Sequence, residues 1–378
     1  MTDLSRCGND CDIAVIGGGV VGLSVAYGLA MRGQAVTLLD EGDVAYRASR
    51  GNFALVWVQG KGIDLPDYAR WTLGSASAWK GFAETLQRDS GINVALEQRG
   101  GLMACLSEEE QEERAAQLQR LHNAAPDSAT VEMLDHQQMK ALLPEIGSEV
   151  VGGTYCRLDG HVNALRLFRA LHQACIGRGI AYRPNATVES LMPAADGFRI
   201  VTSAGEFRAR KVVLAAGLGN ATLAPMVGLS APVRPQRGQV IVTEKLAPFL
   251  HYPLGTIRQT DEGGVMLGDS KEEVGFDTGN SHQVLGQIAA HAVKVFPLLA
   301  RAQIVRSWGA LRVMSPDGYP VYDRSTGSPG AYLVTCHSGV TLAAAHASVM
   351  AEAIASDIWP EAIAAFSARR FGDVPAAA

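Results

Sequence analysis

Short apolar runs separated by amphipathic stretches mark the order of structural elements along this chain. An apolar run at 13–16, a small-residue stretch to about residue 32 and a second run at 36–39 predict strand, helix and strand in succession. Residues 67–88 follow a helical period, which predicts a helix with one buried face. The buried positions expected on that face are Trp71, Leu73, Trp79, Phe82 and Leu86.

The later segments mix helical periods with short strand-like runs. Ser107 followed by three glutamates predicts an N-cap and a charged helix to about residue 124. Within 159–179 the pattern predicts an amphipathic helix with apolar positions at Leu165, Leu167, Phe168 and Leu171. The other predicted elements are a hairpin at 198–202 and 206–209, a separate buried strand at 211–216, antiparallel strands at 239–243 and 265–268, a long alanine-rich helix at 341–359 and a short one around Phe366.

Composition narrows the class of protein. The 378 residues are 47% hydrophobic, which is enough for a large core or two domains. With 33 basic and 38 acidic side chains and no basic cluster, nucleic acid is not expected as a partner. No apolar run is long enough to span a bilayer, and the polar first twelve residues predict a cytoplasmic protein. The six cysteines are scattered without metal-binding spacing, so no metal is expected.

The turn after the first strand has the pattern G-x-G-x-x-G, made by Gly17, Gly19 and Gly22. In dinucleotide-binding units these glycines permit a tight turn, close approach of a pyrophosphate and packing of the helix on the strand. The pyrophosphate then lies at the helix N-terminus, and Asp40, at the end of the second strand, is placed to bind a ribose. The unit predicts a dinucleotide, with NAD and FAD both open. The alternative is a glycine-rich turn without a ligand.

Several segments in a fixed order resemble the glycine oxidase/D-amino acid oxidase (DAO) family of flavoenzymes. They are the glycine turn with VTLLDEGD, ASRGN at 48–52, LDGHVN at 158–163, KVVLAAG at 211–217, RPQRGQ at 234–239, GGVMLGDSKEEVGFD at 263–277, WGALRVMSPDGYPV at 308–321 and CHSGVTLA at 336–343. GNFALVWVQGKG at 51–62 looks most like the FAD-carrying beta subunits of opine and hydroxyproline dehydrogenases. The resemblance implies FAD, held noncovalently because 311–315 lacks the cysteine that attaches flavin in sarcosine-type relatives.

The implied fold is α/β, with a Rossmann-like FAD-binding domain of discontinuous sequence and a mostly antiparallel-sheet substrate-binding domain of α+β type. Discontinuity is also expected from the pattern, because the β-α-β unit ends by Ala45 and later strands must complete its sheet. We assign 1–85, 146–223 and 305–378 to the FAD-binding domain. The substrate-binding domain is assigned to 86–145 and 224–304.

The resemblance also implies the residues that contact the cofactor. They are Gly17, Gly19, Val20, Val21, Gly22, Asp40, Glu41, Arg47, Ser49, Arg50, Gly51, Asn52, Val188, Ala216, Gly217, Gly238, Ser338, Gly339, Val340 and Thr341. A helix starting at 338–341 would stabilise the negative charge of a reduced flavin. Ordinary N-capping at that helix, a solvated turn at 49–52 and a plain buried strand at Val188 remain the alternatives.

Arg312 corresponds to the arginine that binds the substrate carboxylate in the family, and a guanidinium matches a carboxylate with two parallel hydrogen bonds. Its alternative role is an ion pair with an internal acid such as Asp317 or Asp323. His337 is a weaker catalytic candidate, since a lone histidine is usually packed and hydrogen-bonded. Further candidates for the substrate cavity are Trp57, Lys61, Tyr252, Arg258 and Trp308, although aromatic residues more often belong to the core.

The predicted function is FAD-dependent oxidative deamination or dehydrogenation of an amino acid or secondary amino acid, of the opine, D-amino acid, glycine or hydroxyproline type. Hydride would pass from the amine-bearing carbon to flavin N5, and the imine would hydrolyse. The chain is expected to act on a small molecule, with partner subunits or a separate electron acceptor. The alternatives are a free-standing oxidase, a pyridine-nucleotide-dependent flavin reductase and a nucleotide-binding scaffold.

Overall fold

The computed structural model describes residues 10–42, 48–268 and 270–372. The prediction for Arg47 lies outside these residues. Within them the chain forms a mixed α/β fold around a large, mainly parallel sheet and a smaller antiparallel sheet. The predicted fold class is therefore confirmed.

The strands are β1 Asp10–Ile16, β2 Val36–Leu39, β3 Leu55–Val56, β4 Gly101–Cys105, β5 Glu132–Asp135, β6 Gly152–Cys156, β7 Gly160–His161, β8 Ala181–Arg183, β9 Val188–Ala194, β10 Gly197–Thr202, β11 Gly205–Leu214, β12 Arg234–Lys245, β13 Ile257–Gln259, β14 Gly264–Leu267, β15 Ile304–Met314, β16 Val321–Arg324 and β17 Ala331–Thr335. The α-helices are α1 Val20–Met31, α2 Ala48–Gly51, α3 Pro66–Ser90, α4 Glu108–Ala124, α5 His136–Leu142, α6 Ala164–Gly177, α7 Asn220–Leu223, α8 His282–Val295, α9 Ala343–Ala345 and α10 Ala351–Ser356. A π-helical turn covers His346–Met350, and 3₁₀ turns cover Gly217–Gly219, Ala224–Val227, Pro297–Arg301, Glu361–Phe366 and Ala368–Phe371.

The large sheet joins segments that are far apart in sequence. Its central order is β16-β17-β11-β1-β2-β8, with β17, β11, β1, β2 and β8 parallel and β16 antiparallel at the edge. β1 therefore lies between β2 and β11, and β11 lies between β1 and β17. The sheet begun by the first β-α-β unit is completed by much later strands. The domain boundaries themselves stay a prediction.

β11 differs from the sequence prediction of a hairpin arm followed by a separate strand. It is one continuous strand whose first half pairs with β10 and whose second half pairs with β1. Arg208 and Arg210 are exposed on this strand and interrupt the apolar run. Because exposed positions on a strand accept charged residues, they do not end the strand, and the prediction of two elements was wrong.

Two helical predictions also change. The C-terminal helix begins at Ala343 instead of 341, contains the π-helical turn and ends at Ser356, where Asp357 adopts a left-handed conformation (φ 61°). Leu165, predicted on the apolar face of α6, is 66% exposed because it lies on the opposite face from buried Leu167 and Leu171. Ser107 does cap α4, since its side chain accepts a hydrogen bond from Glu110 N.

Helix α1 is buried along most of its length and packs against the C-terminal helical segment. A Cβ on Gly28 would lie 2.2 Å from Ala347 O, so only glycine permits this approach. Arg32 donates to Ala347 O (3.2 Å) and Ser348 O (2.9 Å) in the π-helical turn. The first helix and the last long helix are thus in direct backbone contact.

The antiparallel sheet has the strand order β13-β14-β12-β15. One face buries apolar side chains such as Ile241, Ile257 and Leu267 in a core shared with α8, a helix that the sequence pattern did not predict. Directly paired residues of neighbouring strands lie on the same face of a sheet. The pairings therefore place Arg258, Met266, Val242, Val240, Trp308, Gly238, Ala310 and Arg312 together on the opposite face.

No helix in the described part of the chain is both long enough and apolar enough to cross a membrane.

Candidate functional site

The glycine turn lies where β1, β2 and β11 end together. Gly17 has φ +109°, and a Cβ there would lie 2.4 Å from Ala215 O of the neighbouring segment. A Cβ on Gly22 would lie only 1.9 Å from Gly17 O. The glycines at these positions allow the turn, the helix and the strand to approach closely, as the motif predicts.

Asp40 and Ser49 hold this turn from the other side. One Asp40 carboxylate oxygen accepts a hydrogen bond from Gly18 N (2.6 Å) and the other accepts from Gly42 N (3.0 Å). Ser49 Oγ accepts from Val20 N (2.9 Å) at the start of α1. Asp40 and Ser49 thus fix the backbone of the turn by occupying two of its N–H groups, and a pyrophosphate at this helix N-terminus would bind other N–H groups of the turn.

A cavity of about 660 Å³ opens at this turn. Its size is within the range of cofactor pockets, roughly 300–1,000 Å³. The predicted cofactor residues that line it are Gly17, Gly19, Val20, Val21, Asp40, Glu41, Ser49, Asn52, Val188, Ala216, Gly217, Gly339 and Val340, and His337 lines it as well. Six separate segments of the sequence, at 17–21, 40–41, 49–52, 188, 216–217 and 337–340, therefore converge on one cavity.

The remaining predicted cofactor residues adjoin the cavity without lining it. Gly22 packs beneath the turn, and Gly51 accepts a hydrogen bond from Trp308 Nε1 (3.1 Å) through its carbonyl. The Arg50 guanidinium lies 5.4 Å from the centre of the Phe168 ring. The others are Gly238, which packs under Arg312, and Ser338 and Thr341, which bind the segment at 55–61.

Several walls of the cavity were not found from the sequence. The missed lining residues are Ile16, Leu39, Ala48, Ala186, Thr187, Glu189, Ala215, Leu218, Gly219, Thr222, Leu223, Met226, Phe276, Thr278, Leu311, Val313, Val334, Thr335 and Cys336. Most are small or apolar and carry no chemical signal of their own. Phe276 and Thr278 belong to a loop fixed by buried Arg237, which forms ion pairs with Glu272 and Asp277.

His337 and Cys336 are neutral at physiological pH. Burial, followed by the charges of Lys61, Arg312 and Lys271, lowers the pKa of His337 to about 3. His337 lines the cavity, so the exposed part of its side chain faces the cavity. Burial raises the pKa of the Cys336 thiol to about 12. Neither group is therefore a cation or a thiolate at pH 7.

The segment that carries Trp57 and Lys61 is attached to the loop after β17. Thr341 Oγ1 accepts from Trp57 N (3.1 Å) and donates to Leu55 O (3.2 Å). Lys61 Nζ donates to Ser338 Oγ (3.1 Å). The two predicted substrate-cavity residues are thereby fixed against the start of the C-terminal helical segment.

Asp159 is a buried residue of this region that was not among the sequence-based candidates. Its carboxylate accepts from Val58 N (2.5 Å) and from Gln59 Nε2 (2.7 Å), so it fixes the backbone next to Trp57. Burial raises its pKa to about 7, although these hydrogen bonds oppose the shift. The motif LDGHVN contains this aspartate, and a lone acid within an apolar motif was the signal available.

Leu311 and Val313 on either side of Arg312 line the cavity, and because side chains alternate along a strand, the Arg312 side chain leaves the opposite face of β15. It is related to the cavity through the lining residue His337, on which its charge acts. Its Nη1 donates to Ser270 O (2.6 Å). The two acids considered as alternative partners are engaged elsewhere: Asp317 forms an ion pair with Arg370 (2.7 Å), and Asp323 accepts from Ser367 Oγ (2.9 Å). Neither of these two acids is therefore the partner of Arg312, and its role stays a prediction.

Two further candidates differ in their surroundings. Tyr252 packs against the core below the antiparallel sheet, with its ring edge-on to Tyr155 at 6.1 Å. Like the other predicted substrate-binding residues, it does not line the cavity. Arg258 is buried on the same sheet face as Arg312 and Trp308. The structure thus brings Arg258, Trp308 and Arg312 to one surface and leaves Tyr252 apart from it.

A protein-family model described as DAO, FAD dependent oxidoreductase, matches residues 12–353. The chain is 47% identical to an opine oxidase subunit from Agrobacterium tumefaciens, with 96% of this chain and 98% of that protein covered. It is 44% identical to the corresponding opine oxidase subunit from Rhizobium meliloti, with 96% and 98% covered. The crystal structure of glycine oxidase from Geobacillus kaustophilus has a similar fold, with a TM-score of 0.88 and 23% identity over 95% of this chain and 98% of that chain. The expected family and cofactor are confirmed: the chain belongs to the DAO family of FAD-dependent oxidoreductases.

Proposed function

We propose that the chain dehydrogenates an opine, in which an amino acid and a keto-acid skeleton share one secondary nitrogen. The observation that carries this proposal is the position of Arg312, a guanidinium whose charge acts on the cavity-lining His337 and which shares its sheet face with Trp308. The names of the two relatives at 47% and 44% identity support an opine as substrate. Together these support an amine substrate that bears a carboxylate.

The residues at the cavity fit FAD. Gly17 and Gly19 line the cavity beside the N-terminus of α1, where a pyrophosphate would bind, and the Asp40 carboxylate, which also lines it, would accept hydrogen bonds from the adenosine ribose. Gly339 and Val340, in the loop after β17, border the same cavity and would contact the flavin ring. When bound, FAD supplies a two-electron acceptor for the hydride of the amine-bearing carbon.

Arg312 would bind the carboxylate next to that carbon and fix its distance from the cofactor. Its guanidinium is held by the Ser270 carbonyl and lies against Gly238, so few side-chain rotamers remain open to it. Such pre-organisation reduces the entropy lost when substrate binds. His337 is neutral, so it can exchange hydrogen bonds with the substrate without adding a charge.

We assign no protein base, because an amine that binds unprotonated needs none. The imine product would hydrolyse to a keto acid and an amine. We further propose that the chain is the FAD-carrying subunit of a heteromeric enzyme, which the word "subunit" in both relatives' names supports. A cytoplasmic location belongs to the same proposal and is supported by five described cysteines that are all free thiols.

The test is anaerobic bleaching of the FAD-loaded protein by opines, D-amino acids, glycine, sarcosine and D-hydroxyproline. We expect opines to reduce the flavin fastest. Arg312→Met should lower the second-order rate of reduction by about 100-fold or more, because a carboxylate would lose its charged partner. Arg120→Met is the control, since Arg120 is an exposed arginine of α4, away from the antiparallel sheet.

A protein that binds FAD but is bleached by none of these amines would contradict the proposed function. An Arg312→Met variant as fast as the wild type would remove this residue from substrate binding. Hydrogen peroxide measured in air distinguishes the two remaining types of enzyme. Rapid peroxide formation by the chain alone would indicate a free-standing oxidase and contradict the proposed need for partner subunits.

A further inference from the structure

Arg258 is a fully buried arginine that the proposed chemistry has not yet used. It lies in the middle of β13, and only 2% of its surface is exposed. Its guanidinium is 5.6 Å from the centre of the Phe53 ring. A charged side chain is almost never buried this deeply unless it is paired.

The partners of this guanidinium are unusually weak. Nη1 lies 3.2 Å from His161 Nδ1, and Nη2 donates to the thioether sulfur of Met266 (2.8 Å). Nε is buried without any hydrogen-bond partner. Within 10–42, 48–268 and 270–372, no carboxylate forms an ion pair with Arg258. The five N–H donors of the Arg258 guanidinium thus have two hydrogen-bond partners among the described residues, one imidazole nitrogen and one sulfur.

The acids nearest to Arg258 are occupied or distant. Asp261, which acts on it through space, forms an ion pair with Arg166 (2.8 Å). Glu97 lies 4.0 Å from the far nitrogen of the His161 ring, so the imidazole separates it from the guanidinium. Burial lowers the pKa of Arg258 to about 10, and the side chain therefore stays charged at pH 7. This buried cation lacks the anion that usually accompanies one.

Arg258 is connected to Arg312 by a short chain of contacts along one sheet face. The Phe53 ring lies beside the Arg258 guanidinium. It also packs against Gly268, where an added Cβ would be 3.4 Å from a ring carbon. Two residues further on, the Ser270 carbonyl accepts the hydrogen bond from Arg312 Nη1. Trp308 lies on the same face and donates to Gly51 at the cavity rim. The two guanidinium groups therefore face one region between the sheet and the segment at 51–55.

We propose that Arg258 binds a second carboxylate of the substrate, which makes the substrate a dicarboxylic secondary amine. The inference rests on the proposed function and adds the residue that would bind the second carboxylate of the substrate. In an opine each of the two carbons beside the nitrogen can carry a carboxylate, so one substrate brings two anions. Arg312 binds one of them. An oxygen of the other displaces the Met266 sulfur from Nη2 and accepts from Nε.

The test compares two substrates that differ by one carboxylate: an N-(1-carboxyethyl) amino acid and the N-ethyl form of the same amino acid. Anaerobic flavin reduction is measured for the wild type, Arg258→Met, Arg258→Lys and the exposed control Arg120→Met. We expect Arg258→Met to slow the diacid by about 30-fold or more and the monoacid by less than about threefold. Arg258→Lys keeps the charge and should show an intermediate loss on the diacid. Arg120→Met should preserve the wild-type ratio of the two rates.

A second measurement does not depend on turnover. Ether analogues, with oxygen in place of the amine nitrogen and one or two carboxylates, are added to the FAD-loaded proteins and the change in Tm is recorded. The diacid should raise the Tm of the wild type more than the monoacid does, and Arg258→Met should abolish the difference. Bound FAD per chain and the Tm without ligand show whether each variant is folded.

The inference would be overturned if Arg258→Met slowed flavin reduction by the diacid and the monoacid equally, or if the wild type did not distinguish the two. Arg258 would then have a structural role only. In that case bleaching of the wild type by the monoacid would leave the proposed function intact. If neither amine bleaches the wild type, the proposed function fails. The ether analogues would then still decide whether Arg258 binds a carboxylate.

Discussion

Replacing Gly22 by alanine adds a single methyl group at the tightest point of the glycine turn. The new Cβ would lie 1.9 Å from Gly17 O, 3.0 Å from Gly17 C and 3.3 Å from Ala215 Cβ. Two of these atoms belong to backbone, which cannot rotate away as the end of a flexible side chain can. The N-terminus of α1 or the turn itself must therefore move.

The size of that movement can be worked from the contact distances. Ordinary van der Waals contact begins at 3.4 Å, so the oxygen and the methyl group must separate by roughly 1.5 Å. Overpacking a tight site costs about 1–3 kcal/mol, and the intrinsic helical preference of alanine returns at most about 1 kcal/mol. A displaced α1 also misplaces the backbone donors beside Val20. We expect a loss of about 1–2 kcal/mol in the free energy of unfolding and FAD binding weakened by tenfold or more.

The matched control is Gly74→Ala in α3, where a Cβ meets nothing within 4 Å. The same substitution there should stabilise the protein by about 0.5–1 kcal/mol and leave FAD binding unchanged. Urea unfolding gives the stability, and quenching of tryptophan fluorescence during FAD titration gives the affinity. If Gly22→Ala bound FAD as tightly as the wild type, or were stabilised as much as Gly74→Ala, the close contact between Gly22 and Gly17 would not be important for the turn.

Two further predictions concern positions near the substrate. Gly238→Ala places a Cβ 2.4 Å from Arg312 Nη2 and should push the guanidinium aside. We expect kcat/KM to fall about tenfold with little change in Tm; unchanged kinetics would show that the position of Arg312 is unimportant. In the folded protein the pKa of Asp159 is about 7, above its ordinary 3.8, so folding favours its protonated form. The free energy of unfolding of the wild type should therefore fall by about 2–3 kcal/mol between pH 5 and pH 8, relative to that of Asp159→Asn. If urea unfolding gave the same difference in stability between the wild type and Asp159→Asn at pH 5 and at pH 8, the raised pKa would be contradicted.

Local signals explain what the sequence could predict. The strand, glycine turn and helix that start the chain are each specified by neighbouring residues, and so is the capping of α4 by Ser107. The apolar alternation of β12 and β14 identified the antiparallel sheet. In these elements the residues that determine the structure are adjacent in sequence.

Other features depend on distant partners and were missed. The π-helical turn at His346–Met350 packs beside Gly28, a contact between residues more than 300 positions apart. The walls of the cavity include small residues such as Ala186 and Gly219, which acquire a role only when the chain brings them to the glycine turn. The weakly partnered state of Arg258 likewise becomes visible only once its neighbours in space are known.

The strand order of the large sheet has a consequence for synthesis on the ribosome. β1 pairs with β2 early, but its second neighbour, β11, is available only after residues 205–214 have been synthesised. β17, the parallel neighbour of β11, follows only when residues 331–335 have been made. At about 5–20 residues per second, β17 is made roughly 15–60 s after β2. During this interval the apolar helix α1 lacks its C-terminal packing partner. The nascent chain is therefore expected to need protection by chaperones, and cofactor capture should be almost the last event of its folding.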